Sequence, residues 1–300
     1  MKHFLTLFLS VFCLLLCFCA GRPGASSEKI TGYNFLQPDA SLILPDTLRE
    51  ISGLTVIDSS TVACVQDENG ILFLYNIVSN QIVRQHRFTI DGDYEGITRI
   101  GKTIYVLRSD GVLFEIVNYE DTLSAVNKYA TGIPSANNEG LCYDPDNNRL
   151  LIACKGKAGK GPEHKDRRAI YAFDLAKKTL SQEPVFDFEL QEIKNFAAQH
   201  KVEFPQRVKK KDGSSDVVIK FRTSAICIHP LTKRLYLLSA ADHALFIFGP
   251  GGLPEHIELL DPGIFNKSEG ITFFSNGDAL ITNEAQNKKP TLLRFNYTGS

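Results

Sequence analysis

The chain has 300 residues, of which 43% are hydrophobic and 22% are charged, and its formal net charge at pH 7 is −1. This balance is typical of a folded globular protein and excludes a disordered or collagen-like chain. Because the net charge is close to zero, the chain has no overall excess of basic residues, and the composition argues against nucleic acid as a partner. A single large all-β domain can use the whole length.

The first residues have the pattern of a secretory signal. Lys2 and His3 precede an apolar run over residues 4–20, and a basic start followed by a short apolar core is typical of a segment removed on export. We therefore predict a signal peptide over residues 1–20. No other stretch approaches the length of a membrane span, so we expect an exported protein of the periplasm or the outer membrane.

Two ways of processing this signal remain open. Small residues directly after Cys19 offer a site for an ordinary signal peptidase. Residues 16–19 also loosely resemble a bacterial lipobox with Cys19 as the lipidated residue, although Phe18 stands where a lipobox has a small residue. Lipidation would make the anchor the protein's one contact with the membrane, and residues 21–39 would be a polar linker to the folded domain.

Four cysteines lie beyond the signal, each inside an apolar strand-like run: Cys64, Cys142, Cys154 and Cys227. No C-x-x-C pair occurs, so a zinc or redox motif has no support. We predict small buried thiols. A disulfide between Cys142 and Cys154 on neighbouring strands is the alternative in an oxidising compartment.

One short phrase recurs five times: a polar residue, a small residue and a branched apolar residue that open a strand. We call its first residue the slot residue. The slot residues are Ser52, Glu95, Glu139, Ser224 and Glu269. Three of the four intervals between them are about 44 residues, which is the period of a four-stranded propeller blade. The remaining interval, of about 85 residues, requires an insertion or a hidden blade.

The strands around these phrases predict an all-β, five-bladed β-propeller over residues 40–300. Each phrase is followed by a turn and further short apolar runs, as in four-stranded blades. The fifth unit has three strands, and we predict that the unused run Ala40–Leu44 completes this last blade. The long interval is predicted to contain a short helix at Leu190–His200 and a polar loop at 208–215, because the four strands of a sixth blade are not found there.

The phrases also carry a resemblance to a known family. They are Arg49–Leu54, Tyr94–Ile97, Asn138–Pro145, Phe221–Ile226 and Ser268–Ile271, in this order. They resemble those of the SdiA-regulated propeller family, distant relatives of NHL-repeat proteins. The resemblance implies a five-bladed propeller of the cell envelope, behind a signal or lipid anchor, with a calcium site. Thr223 stands where the family commonly has proline, which is a small departure at a turn.

The slot residues and the turns between second and third strands should ring one mouth of the central channel, because both lie on the same face of a propeller. The turn residues are Asp67, Glu68, Arg108, Asp110, Lys155, Asp242, His243, Asn283 and Glu284. Three slot carboxylates, Glu95, Glu139 and Glu269, can converge there on a hard cation. Ca²⁺ takes roughly six to eight oxygen ligands in a tolerant geometry, so these three glutamates are the predicted calcium ligands.

Two other roles for the glutamates remain open. They can accept backbone N–H bonds or pair with Arg108, Lys155 or Arg222, in which case their role is structural. Partial neutralisation by these basic residues would instead leave a funnel that accepts an anion.

The sequence therefore predicts a monomeric, non-enzymatic binding module whose partner is an envelope protein or a small ligand. The alternative is a calcium-dependent hydrolase, similar to lactonase or phosphatase propellers. A hydrolase needs a base beside the metal, and His243 and Glu284 are the residues available for it. Fold analogy alone does not support an activity, so no catalytic residue is assigned.

Overall fold

The structure is a computed structural model that describes residues 31–121, 124–208 and 215–299. The predicted signal peptide and the candidate lipidation residue Cys19 lie outside these ranges. Within them, no helix has the length and apolar character that a membrane crossing requires.

Small antiparallel sheets follow one another along the chain as the blades of a propeller, after a first strand β1 (Ala40–Ile43). Blade 1 consists of β2 (Ile51–Val56), β3 (Thr61–Gln66), β4 (Ile71–Asn76) and β5 (Gln81–Arg87). Blade 2 consists of β6 (Tyr94–Ile100), β7 (Thr103–Arg108), β8 (Val112–Val117) and β9 (Ala125–Ala130). Blade 3 consists of β10 (Asn138–Asp144), β11 (Arg149–Cys154), β12 (Arg167–Asp174), β13 (Thr179–Leu180) and β14 (Phe186–Glu189).

The last two blades follow an insertion that contains helix α1 (Leu190–Gln199) and a hairpin of β15 (Gln206–Val208) and β16 (Ser215–Val217). Blade 4 consists of β17 (Ala225–Ile228), β18 (Leu235–Ser239), β19 (Ala244–Phe248) and β20 (Pro254–Leu259). Blade 5 is built from β21 (Ser268–Phe273), β22 (Ala279–Asn283) and β23 (Thr291–Phe295), together with β1. The predicted all-β, five-bladed propeller is confirmed.

The first strand closes the ring, as predicted. β1 pairs antiparallel with β23, with Ala40 opposite Arg294 and Ile43 opposite Thr291. The next residue, Leu44, leaves the strand and is buried, and its backbone N–H donates to the carbonyl of Pro290 at 2.9 Å. A strand from one end of the chain thus completes a blade made from the other end.

The five first strands pack around the central axis, each against the first strand of the next blade. The apolar core is divided into five clusters, one between each pair of neighbouring blades. Between blades 1 and 2, for example, the ring of Tyr94 packs edge-on against Phe88 and Phe114, at centroid distances of 5.2 and 5.7 Å. Each blade is therefore held by apolar contacts on both faces.

The segment ahead of β1 belongs to the core between blades 4 and 5. Tyr33 is 1% exposed, and its hydroxyl donates to the carbonyl of Gly277. Nε2 of His229 donates to that hydroxyl at 2.8 Å, while Nδ1 accepts the backbone N–H of Thr232. These contacts fix the imidazole as the neutral Nε2–H tautomer, and burial lowers the pKa of His229 to about 4.

The insertion packs against blades 3 and 4. Ile193 and Ala197 of α1 are buried in the cluster between these blades, which confirms the predicted helix. The hairpin of β15 and β16 was not predicted, because each strand has three residues and its exposed side chains show no apolar alternation.

A polar cluster joins blades 2 and 3. Nζ of Lys178, from the β12–β13 turn, lies 2.6 Å from the Glu115 carboxylate on β8. Tyr105 and Tyr129 donate their hydroxyls to the same carboxylate at 2.6 and 2.7 Å, and Asn127 donates at 3.0 Å. Burial alone would raise the pKa of Glu115, but these hydrogen bonds outweigh it and lower the pKa to about 2.

The four described cysteines are free thiols. Cys142 lies opposite Leu151, whereas Cys154 lies opposite Asn138. Along β11 the offset between Leu151 and Cys154 is three positions, or about 10 Å, which is beyond the reach of a disulfide. The alternative of a Cys142–Cys154 disulfide is therefore wrong.

Candidate functional site

A β-bulge marks the start of the first strand in four blades. The ladder between first and second strands shifts by one residue at Ser52, Glu95, Glu139 and Glu269. A bulge leaves one residue out of the pairing and redirects its side chain. The four residues are slot residues, and all of them line the narrow centre of the channel.

The two slot serines link neighbouring blades. Ser52 donates its hydroxyl to the carbonyl of Tyr94 at 2.5 Å, and Ser224 donates to the carbonyl of Ser268 at 2.7 Å. Both acceptors belong to the first strand of the following blade. The slot serines thus link neighbouring blades, and the glutamates are the ionisable members of the ring.

The channel at the slot residues is very narrow. Its cavity holds about 10 Å³ and is lined by residues of all five phrases, which is room for about one water-sized particle. Neighbouring first strands approach closely here, because a Cβ added at Gly96 would lie 2.7 Å from Cβ of Leu141. The glycine after each slot glutamate is therefore required by the closeness of the blades.

The three slot glutamates are in an electrostatically unfavourable environment. Glu139 and Glu269 are 2% and 4% exposed, and Glu95 is partly buried. Burial, followed by the charge of Glu139, raises the pKa of Glu95 to about 9. Burial and the charge of Glu269 raise the pKa of Glu139 to about 7, and burial raises that of Glu269 to about 7. A positive charge placed among them would relieve this cost.

Two lysines supply part of that charge. Lys155 forms an ion pair with Glu139, and Lys267 pairs with Glu284 while lying 3.6 Å from Glu269. Apart from the Lys155 ammonium, neither carboxylate oxygen of Glu139 has a hydrogen-bond partner among the described residues. The expected pairing with Lys155 is therefore present, but it leaves hydrogen-bonding capacity on Glu139 unused.

The two arginines named as alternative partners do not pair with the glutamates. Arg108 is engaged by Asp110 at 2.8 Å. Arg222 is exposed and has no ion pair within the described ranges. Those two pairings are therefore wrong.

A tighter carboxylate group lies beside the slot glutamates. Oxygens of Glu50, Asp67 and Glu284 all lie within 4.8 Å of one another, and no other such acidic trio, that of Glu95, Glu139 and Glu269 included, occurs in the described part of the chain. Burial and the charge of Glu50 raise the pKa of Asp67 to about 6. Burial raises the pKa of Glu284 to about 7, against the opposing effect of Lys267. The mouth thus holds more negative charge than the slots alone provide.

Glu50 was missed from the sequence, although a repeated position identifies it. The residues two positions before the slots are Glu50, Asp93, Asn137, Arg222 and Lys267. In four blades the carbonyl of this residue accepts the backbone N–H of the residue just beyond the second strand, at 2.9–3.2 Å. The position is acidic in blades 1 and 2 and basic in blades 4 and 5. Charge therefore changes sign across the mouth.

The two predicted candidates for a catalytic base each contact a neighbouring residue, but only Glu284 does so through its basic group. Nδ1 of His243 donates to the carbonyl of Phe265 at 3.0 Å. Glu284 pairs with Lys267. Both lie at the predicted mouth, on turns that follow a second strand.

A scan against protein-family models and a search of curated proteins found no match for this chain. Solved structures share its fold. Glutaminyl cyclase from Myxococcus xanthus is 14% identical with a TM-score of 0.56, and the match covers 87% of this chain and 95% of that one. This likeness is one of propeller architecture, because at such low identity it extends to the fold alone.

Two further structures are more distant. A chain of a nidogen–laminin complex is 14% identical with a TM-score of 0.47, and the match covers 78% of this chain and 72% of that one. The extracellular domain of a one-component system from Bacteroides thetaiotaomicron is 12% identical with a TM-score of 0.41, over 80% of this chain and 27% of that one. The blade sheets of this chain and the match to the glutaminyl cyclase identify it as a β-propeller protein.

Proposed function

We propose that this chain is an exported member of the SdiA-regulated propeller family that acts as a binding module, with a Ca²⁺ ion held by Glu95, Glu139 and Glu269 at the channel mouth. Its partner is an envelope protein or a small ligand that binds over this mouth. The proposal rests on the Glu139 carboxylate, which is almost fully buried and has unused acceptor capacity beside the buried Glu269 and the partly buried Glu95.

The size and chemistry of the central cavity support an ion rather than an organic ligand at the slots. A cavity of about 10 Å³ admits one water-sized particle. The lining includes the three slot glutamates, whose carboxylate oxygens are the ligands that Ca²⁺ prefers, together with apolar residues of the first strands. Because the geometry of Ca²⁺ sites is tolerant, three glutamates from different blades, assisted by water and carbonyl oxygens, suit it better than they suit Mg²⁺.

Binding is favoured over hydrolysis because Glu284, one of the two candidate bases, is engaged in an ion pair. A general base must reach the proton that it removes. The carboxylate of Glu284 is instead paired with Lys267, whereas the Nδ1–H of His243 donates to the carbonyl of Phe265 and leaves Nε2 as the acceptor nitrogen of the ring. The activity of the glutaminyl cyclase does not transfer, because one propeller fold carries many functions.

Thermal unfolding tests the calcium site. A ligand that binds only the folded state at about 100 times its Kd stabilises that state by about 2.7 kcal/mol, which is about 5–10 °C for a domain of this size. We expect millimolar Ca²⁺ to raise the Tm by this amount over EDTA-treated protein, and Mg²⁺ to raise it less. Glu139→Gln should reduce the calcium shift, whereas Glu203→Gln, at an exposed position, should leave it unchanged.

Two results would contradict the calcium site. One is a wild-type Tm that is the same in Ca²⁺ and in EDTA. The other is a calcium shift that survives Glu139→Gln, Glu95→Gln and Glu269→Gln alike. In either case the glutamates are structural partners of Lys155 and Lys267.

Cell fractionation tests the proposed location. With an intact signal at residues 1–20, the protein is expected outside the cytoplasm. If Cys19 is lipidated, the mature protein should partition with membranes, and Cys19→Ala should move it to the soluble fraction. Recovery of the wild type in the cytoplasm would overturn the assignment.

A further inference from the structure

A second pocket opens on the basic side of the same mouth, between blades 4 and 5. Its volume is about 320 Å³, which is in the range of small-ligand sites. Four cationic side chains line it, together with one carboxylate from the slot ring. The cations are Lys155, Lys220, Arg222 and Lys267, and the carboxylate is Glu269. This pocket is far larger than the one-particle cavity at the slots.

Two of these cations are not neutralised. Lys155 and Lys267 pair with glutamates of the mouth. Lys220 donates to the carbonyl of Ala241 at 3.0 Å. Neither Lys220 nor Arg222 has an ion pair to a carboxylate in the described ranges, and both are exposed. Unlike the slot ring, the pocket therefore has an excess of positive charge.

The backbone that carries these two cations is fixed from both sides. Phe221, between them, is fully buried and has a φ of 46°, a left-handed conformation that is uncommon for a bulky residue. The Asp242 carboxylate accepts the backbone N–H groups of Lys220 and Phe221 at 2.7 and 2.8 Å. Arg168 donates to the carbonyls of the same two residues, at 3.0 Å each.

This anchoring places positive charges close together. Burial, followed by the charge of Arg222, lowers the pKa of Arg168. Strained backbone persists where the surrounding structure over-determines it, and such positions cluster at binding sites. The loop thus presents the Lys220 and Arg222 side chains to the pocket from a backbone that is already ordered, which reduces the entropy lost on binding.

We propose that this pocket binds the anionic group of a small ligand, a carboxylate or a phosphate, with Arg222 and Lys220 as its principal contacts. A guanidinium matches both groups through two parallel N–H bonds, and the lysine adds a point charge. The pocket adjoins the slot ring and shares Glu269 with it, but its proposed contacts, Arg222 and Lys220, are not calcium ligands, so the proposal does not depend on calcium.

Isothermal titration of EDTA-treated protein tests the proposal, with inorganic phosphate and succinate as the two probes. At least one probe is expected to saturate a single site, and the stronger of the two identifies the preferred anion. Arg222→Gln should weaken binding about tenfold or more, since it removes a charge-assisted bidentate contact, and Lys220→Gln should weaken it less. Both residues are exposed, so these variants are expected to fold.

Lys102→Gln is the matched control, because Lys102 is an exposed lysine in the β6–β7 turn, on the face away from the pocket. Its Kd should equal that of the wild type. The proposal is overturned if neither probe binds at concentrations up to about 10 mM, or if Arg222→Gln and Lys102→Gln have the same Kd as the wild type. The succinate titration is repeated in Ca²⁺ to test the two sites independently. If the thermal unfolding experiment shows no calcium effect but succinate still binds, the calcium proposal fails and the anion proposal holds.

Discussion

Nε2 of His229 and the hydroxyl of Tyr33 lie 2.8 Å apart, although 196 positions separate the two residues in the chain. The contact ties the segment ahead of β1 to blade 4, beside the seam where β1 and β23 close the ring. The closure of this propeller therefore involves a buried hydrogen-bond network in addition to the added strand.

Removing the Tyr33 hydroxyl should destabilise the fold. Tyr33→Phe leaves the Nε2–H of His229 and the carbonyl of Gly277 without their buried partner, and an unsatisfied buried group costs about 1–3 kcal/mol. Urea denaturation should show this loss in the free energy of unfolding. Tyr143→Phe is the control, since the Tyr143 hydroxyl makes one hydrogen bond in an exposed setting, to Asn148 at 3.3 Å. Equal stability of Tyr33→Phe and wild type would contradict the closure network.

The slot glutamates should make the protein less stable at high pH. A carboxyl whose pKa is raised in the folded state contributes stability below its unfolded pKa, and loses it as the pH rises through the folded pKa. For Glu95 this window extends from the ordinary value of 4.5 to about 9. In EDTA, the free energy of unfolding should fall across this range.

A substitution at Glu95 tests whether this residue causes the loss of stability at high pH. Glu95→Gln should reduce the slope most between about pH 8 and pH 9, because Glu139 and Glu269, with pKa values of about 7, are mostly deprotonated above about pH 8 whereas Glu95 is not. Urea titrations at a series of pH values provide the measurement. A wild-type curve that is flat or rising over this range would show that the carboxyls are not held in the environment described here.

Glu115 should have the opposite effect on the pH dependence of stability, because its pKa is lowered rather than raised. Its pKa is lowered to about 2, so its contribution to stability is present above the ordinary value of 4.5 and is lost as the pH falls towards 2. At pH 7, Glu115→Gln should cost about 2 kcal/mol, because it removes the counter-charge of Lys178. Lys177→Gln, next to Lys178 but highly exposed, should change stability by less than about 0.5 kcal/mol. Equal effects of the two changes in urea denaturation would contradict a role for this inter-blade cluster.

The narrow channel should not tolerate a side chain at Gly96. An added Cβ would lie 2.7 Å from Cβ of Leu141 in the next blade, and such overpacking costs about 1–3 kcal/mol. Gly96→Ala should therefore lower the Tm by several degrees. Gly156→Ala is the matched control, since nothing lies within 4 Å of the added atom there. A Gly96→Ala protein as stable as this control would show that the blades can move apart at the slots.

The architecture could be predicted from the sequence because the slot phrase recurs with a blade-sized period. The phrase marks the first strand of each blade, and the missing fourth strand of blade 5 matched the unused run at Ala40–Leu44. The bulges at the slots explain why the phrase is so regular. In four of the blades the slot side chain leaves the ladder at the same point, where it lines the channel.

Contacts between blades could not be predicted in the same way. Lys178 reaches Glu115 across the boundary between blades, and no repeat in the sequence marks which turn residue meets which strand. The same holds for Glu50, which joins Asp67 and Glu284 only when blades 1 and 5 are placed side by side. A position-by-position alignment of the five units would have revealed the change of charge sign, but not these distances.

Because β1 pairs with β23, the ring can close only after the last strand of the chain has been synthesised. About 250 residues separate Ala40 from Arg294, so at ordinary rates of synthesis the earliest strand waits on the order of ten to fifty seconds for its partner. During that time its edge is open to pairing with other chains. A polypeptide that stops short of Thr291 would lack β23, so that β1 and β22 would each lose a partner strand and the ring would stay open.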